Sequence, residues 1–192
     1  MSHKKLSKYL ISIIFFILLI SCTNEMNNYN SNKNNILDKI KTLDTYYYEK
    51  EQLIFVDIET QQLFLLNKGK LSKNYLISSS YYGTGSKENS LRTPLGRHEI
   101  YKKLGENLPI NAILKGRVWN GAVAEIIREP IDTEFDHVTS RILWLDGLEI
   151  GKNKGKGIDS RERYIYIHGT AEEGLIGKPA SDGFIRMYIE MS

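Results

Sequence analysis

From Gln52 onward the chain is divided into short runs of β-forming residues, each closed by glycine-, serine- or asparagine-rich turns. LIFVDI (53–58) and QLFLL (62–66), separated by Glu59-Thr60-Gln61, read as a hairpin, and Asn67-Lys68-Gly69-Lys70 turns the chain into LSKNYLIS. A long Gly/Ser loop then closes on Pro94 and Gly96 before RHEIYK, and further apolar or alternating runs follow at AVAEII (122–127), RILWL (141–145) and RYIYIH (163–168). There is no internal repeat and no long amphipathic helix after residue 50. This pattern excludes a helical bundle and predicts one mainly β domain of sandwich or barrel-like form, with long loops and little helix. The 192 residues suffice for one such core.

The first fifty residues have a different texture. Lys4, Lys5 and Lys8 precede LISIIFFILLI (10–20), an apolar run shorter than the ~20 residues of a comfortable bilayer span. The run ends at Leu19-Ile20-Ser21-Cys22, as a signal peptide ends on a small residue. LISC also resembles the lipobox of bacterial lipoproteins, which implies a signal peptide over 1–21 and lipidation of Cys22. An ordinary signal peptide or a single N-terminal anchor helix is the other reading of the same residues. Thr23, rather than Asp, after the cysteine favours the periplasmic face of the outer membrane. TNEMNNYNSNKNN, too polar to form a core, reads as a tether within 22–50, and Ile36, Leu37, Ile40 and Leu43 predict a short amphipathic helix over about 36–45. The folded domain is expected over 51–192.

Charge and cysteine content narrow the function. The chain carries 26 basic and 23 acidic residues, and loss of the three leader lysines leaves 23 against 23. A near-neutral mature protein gives no electrostatic basis for a nucleic-acid partner. Cys22 is the sole cysteine, so no intramolecular disulfide can form and, once lipidated, no thiol is left for chemistry. His98, His137 and His168 lack metal-ligand spacing, which predicts no metal site. GTGSKENS (83–90) lacks the Gly-Lys-Ser/Thr ending of a phosphate-binding loop and reads instead as a mobile loop over a pocket.

His168-Gly169-Thr170 ends the strongest β run, where a side chain can face a loop-built site, and Ser181-Asp182-Gly183-Phe184-Ile185-Arg186-Met187 follows. With QLIFVDIETQQLFLLNKGKLSKNYLIS, GTGSKENSLRTPLG, TSRILWLDGLEIG and IYIHGTAEEGLIGKPAS in the same order, the segment from about 50 to 192 resembles the L,D-transpeptidase (YkuD) catalytic domain. The family signature is HG(T), some fifteen residues, then SHGC, often followed by I-R-M. The resemblance implies an L,D-transpeptidase-like β-sandwich and acyl transfer without metal or organic cofactor. A cysteine thiolate attacks the carbonyl between meso-diaminopimelate and D-alanine of a peptidoglycan tetrapeptide. D-alanine leaves, and an amine acceptor resolves the thioester.

By that resemblance His168 matches the general base. Ser181, Asp182 and Gly183 match the turn whose backbone, through Phe184, forms the oxyanion hole. Gly169, Thr170 and Arg186 match the binding wall, Arg186 as a carboxylate-facing or pocket-bracing residue. Three departures follow. Asp182 stands where histidine is usual, Phe184 occupies the nucleophile position without a nucleophilic atom, and relatives continue beyond Met187-Tyr188-Ile189-Glu190-Met191-Ser192 through a short helix and another strand. These imply a truncated C-terminus with an unpaired last strand, and a peptidoglycan-associated family protein impaired or inactive in transfer. The alternative is a non-catalytic peptidoglycan-binding lipoprotein that uses the same groove. In either case the partners are stem peptides and, through the lipid, a membrane.

Overall fold

A computed structural model describes residues 35–43 and 48–191. The leader, Cys22 and most of the tether lie outside these residues. The chain divides into two compact units, one running to Leu53 and including Leu66–Ser72, the other comprising Ile54–Leu65 and Lys73 onward. In the first, residues 35–43 are helical with Ile40 buried, while Leu43, expected on the same apolar stripe, is exposed.

Among the described residues nine strands follow: β1 (Gln52–Asp57), β2 (Gln62–Asn67), β3 (Lys70–Leu76), β4 (His98–Leu104), β5 (Ala112–Lys115), β6 (Val118–Val123), β7 (Val138–Gly147), β8 (Tyr166–Thr170) and β9 (Ile185–Met187). They form a three-stranded sheet in the order β1-β2-β3 and a six-stranded sheet in the order β6-β5-β7-β8-β9, with β4 also on β7. The fold is mainly β, two sheets with long loops and little helix, as expected. AVAEII is not a strand, however: β6 ends at Val123, and Ala124 and Ile127 make loop hydrogen bonds to Asn111 and Ala171. The expected hairpin over 53–66 is present as β1–β2. A second one, β5–β6, turns at Gly116-Arg117 with positive φ at both central residues, as a tight two-residue hairpin requires. β9 pairs in parallel with β8, and Arg186 bridges to Ser78 on its other side, so the expected unpaired last strand is not found.

Alternation sorts the large sheet into two faces. Leu143 and Leu145 of β7, Ile167 of β8, and Ile185 and Met187 of β9 join Leu63 and Ile77 in the sandwich core. Ile142, Trp144, Tyr166 and Phe184 cluster on the opposite face with Leu114. His168 and Arg186 share that second face by the same two-residue period. The β7–β8 register shifts between Thr139 and Ile142, where Ser140 adopts φ +60°, so a bulge lies directly opposite the His168–Gly169 step.

Ile167 is 4% exposed in the core, whereas Ile150 is 91% exposed. Ile167→Ala should lower the urea-unfolding free energy by about 2–5 kcal/mol, through lost transfer energy and the cavity left behind. Ile150→Ala should change it by less than about 0.5 kcal/mol.

Candidate active site

His168 is mid-strand in β8 and 0% exposed, not at a strand end facing a loop as the sequence suggested. Its Nδ1 lies 2.8 Å from the Gly169 carbonyl oxygen, which can only accept a hydrogen bond. Nδ1 must therefore carry the proton, leaving the lone pair of the neutral ring on Nε2, which has no partner among the described residues. Burial pushes the His168 pKa below 6.5, against the opposing carboxylate of Asp136 and the Gly169 hydrogen bond; Arg186 lowers it further. The ring is thus neutral at pH 7, with an unoccupied acceptor in a dry setting.

Phe184 is half-buried beside this ring. It lies nearly parallel to Tyr166 with centroids 5.3 Å apart, and edge-on to His168 at 5.4 Å. The turn before it is tightly built. Ser181 Oγ donates to the Phe184 carbonyl at 2.7 Å, and Thr93 Oγ1 donates to the Gly183 carbonyl at 3.2 Å. Ser181 N donates to Ser79 O, and Tyr81 N to Ser181 O. Gly183 has φ +109°, a conformation that favours glycine. Among the described residues, the N–H groups of Asp182, Gly183 and Phe184 donate to no acceptor. The carbonyls of Ser181, Gly183 and Phe184 are occupied, whereas the N–H groups of Asp182 to Phe184 are free.

Arg186 is 1% exposed. Its Nη1 donates to Glu172 Oε2 at 2.8 Å, and its Nη2 makes a 2.7 Å ion pair with Asp136 that is not aligned as a hydrogen bond. Glu172, equally buried, also accepts from the backbone N–H and hydroxyl of Thr133. Of the two roles expected for Arg186, this geometry is the bracing one, because its charge is consumed by two carboxylates of the protein. Gly169 and Thr170 are buried within the strand, and Thr170 Oγ1 accepts from Glu172 N.

A cleft of about 220 Å³ opens alongside, lined by Tyr81, Tyr82, Asp132, Thr133, Glu134, Asp136, Ala180, Asp182 and Arg186. Partial burial, together with Asp136, Asp132 and Glu172, pushes the Asp182 carboxyl above its ordinary pKa, against the pull of Arg186. Among the described residues, no group of histidine, cysteine and carboxylate side chains is arranged to hold a metal.

The family model of the L,D-transpeptidase catalytic domain, YkuD, matches residues 51–191. The chain belongs to that family. Among solved structures, a cysteine-to-serine mutant of the Enterococcus faecium L,D-transpeptidase is similar over 73% of this chain, with 18% identity and a TM-score of 0.38; the chain spans 43% of that protein's length. No curated protein matches.

In this L,D-transpeptidase-family chain, His168 contacts Phe184, which ends the Ser181–Gly183 turn, while Asp182 lines the cleft. Several partners were not foreseen. Asp136 and Glu172 pair Arg186, Tyr166 stacks on Phe184, and the Gly169 carbonyl fixes the histidine tautomer. Glu172, four residues after His168 in HGTAEE, was the one available signal, since an arginine buried in a strand requires a buried acid.

A histidine whose folded pKa is depressed binds its proton more readily in the unfolded chain. Stability is therefore lost as pH falls through about 6.5 toward the folded pKa, with a slope of up to ~1.4 kcal/mol per pH unit for one group. His98, also lowered chiefly by burial, acts in the same direction. Urea midpoints measured from pH 7.5 to 5.5 should fall, and His168→Gln should flatten part of that slope.

Proposed function

We propose that this is a peptidoglycan-associated protein whose site receives tetrapeptide stems and is impaired in acyl transfer because position 184 supplies no nucleophile. The observation that carries this reading is the pairing of a neutral, tautomer-fixed His168 with a donor-rich turn around a phenylalanine ring. In the complete reaction a thiolate forms a C–S bond to the stem carbonyl while the bond to D-alanine breaks. The departing amine takes the proton held by the base, and an acceptor amine later forms the new C–N bond as sulfur leaves. His168 has the lone pair for that proton, and the N–H groups from Asp182 to Phe184 are suited to the oxyanion. Ser181 Oγ is no substitute nucleophile, since it is buried and donates to the Phe184 carbonyl. Arg186 acts as the brace that fixes β9 and the neighbouring wall, with Gly169 and Thr170 forming the strand behind the base. No cofactor enters the scheme.

A second reading, a non-catalytic binder of stem peptides in the same groove, is favoured by the packing of Phe184. The ring is stacked on Tyr166, which suits a site that holds a ligand without reacting with it. In both readings residues 1–21 are removed, Cys22 is lipidated, and the stretch to residue 50 tethers the domain over 51–192 on the periplasmic face of the outer membrane.

Incubation with a tetrapeptide and mass spectrometry for D-alanine release tests the chemistry. The protein with Phe184 should release none above background, and Phe184→Cys should restore turnover and a thioester adduct; loss of the nucleophile in a site of this type costs on the order of 10⁶ in kcat. Comparable release by both forms would overturn the assignment of position 184. Radiolabelled palmitate should be incorporated in a bacterial host and lost on Cys22→Ala. Equal labelling of the variant would remove the anchor from the proposal.

A further inference from the structure

The aromatic packing around Phe184 continues outward to two cations, Arg161, whose guanidinium carbon lies 5.2 Å from the Tyr101 ring centroid, and Arg117. Tyr166 meets Trp144 edge-on at 5.9 Å, and Trp144 contacts Tyr101 at 5.3 Å and Tyr164 at 5.6 Å, both of them exposed. The guanidinium carbon of Arg117 lies 4.8 Å from the Trp144 ring centroid and 4.6 Å from that of Tyr164. Nη1 of Arg117 donates to the Tyr166 hydroxyl at 3.2 Å. Arg117 itself stands in the tight β5–β6 turn with φ +70°, a conformation that residues other than glycine rarely adopt. The turn and the two ring faces hold the guanidinium in one place.

Its charge is uncompensated. Arg186 is paired with Glu172 and Asp136, Arg161 with Asp146 and Arg97 with Glu149. Among the described residues, no carboxylate pairs with Arg117. One of its five N–H donors is used by Tyr166, and the planar fork that matches a carboxylate bidentately remains available. The cleft bearing Asp132, Glu134, Asp136 and Asp182 would repel an anion.

We infer that Arg117 is a specificity-determining residue that anchors a free carboxylate of the bound peptide, with the peptide lying along the Tyr166 and Trp144 side of the site. This rests on the reading of the site as one for stem peptides. A preorganised guanidinium on an aromatic bed binds a carboxylate with less ordering cost than a free surface arginine, and the acidic cleft directs that carboxylate to one side only.

The test is titration calorimetry of the full-length protein in detergent, using a stem tetrapeptide and the same peptide with its free carboxylates converted to carboxamides. The unmodified protein should bind the carboxylate form about tenfold more tightly. Arg117→Ala should bind the carboxylate form about tenfold more weakly and lose the discrimination. Arg117→Lys, which keeps the charge but not the fork, should recover only part of it. Equal affinity of the unmodified protein for the two peptides would overturn the inference without needing any variant. So would a folded Arg117→Ala that still discriminates, which would leave Arg117 only a packing role. Binding insensitive to both changes leaves the stem-peptide reading standing, whereas no binding of either peptide removes both.

Discussion

The arginine buried in the last strand organises the site. A guanidinium that is 1% exposed is tolerated only when its charge is paired, because removing its partners would leave an uncompensated buried charge at a cost of several kcal/mol. Its two carboxylates come from different parts of the chain. Glu172 lies just after β8, and Asp136 lies in the long segment before β7. Glu172 extends the linkage to Thr133 through its second oxygen. The segment from Ala124 to His137 contains no regular strand, and it is held to the domain by these polar links and by the backbone bonds of Ala124 and Ile127. The cleft lined by Asp132, Thr133, Glu134 and Asp136 takes its shape from the same links.

The sheet then determines which side chains share a face with Arg186. The two-residue period that commits Ile167, Ile185 and Met187 to the sandwich core sends His168 and Arg186 to the other face together. Slipping β8 by one residue would exchange the two sets and bury the imidazole among aliphatic side chains. The sandwich core and the site are therefore two consequences of one register. This couples His168 to the fold tightly enough that burial is the largest cause of its lowered pKa.

The large-scale order was legible in the sequence because it is carried by local signals: alternating apolar runs, glycine turns, and the HGT and SDGFIRM segments. Six runs gave strands close to where alternation put them, and the motifs converged on one wall. AVAEII misled because its apolar residues lie in a loop tied to Asn111 and Ala171, contacts remote in sequence that periodicity does not report. β5 was missed because AILK is short, and its pairing is set by the Gly116-Arg117 turn rather than by hydrophobic pattern. The exposure of His168 was misjudged because a strand end in sequence became a strand centre once β7 and β9 flanked it. Asp136 and Glu172 were invisible as partners of Arg186, since they pair with it only after the strands assemble.

Little of the geometry around position 184 depends on the side chain that stands there. The histidine tautomer is set by a backbone carbonyl, that of Gly169. The free donors of the turn are backbone N–H groups, and the turn is held by Ser181, Thr93 and Ser79 rather than by the residue it presents. Phe184 instead gains packing against Tyr166, a stacked contact of the kind worth about 0.5–1.5 kcal/mol beyond its burial. Replacing it with a smaller thiol would give up that contact and leave both backbone features in place. The geometry of the site thus belongs to the backbone of β8 and of the turn, and not to the side chain at position 184.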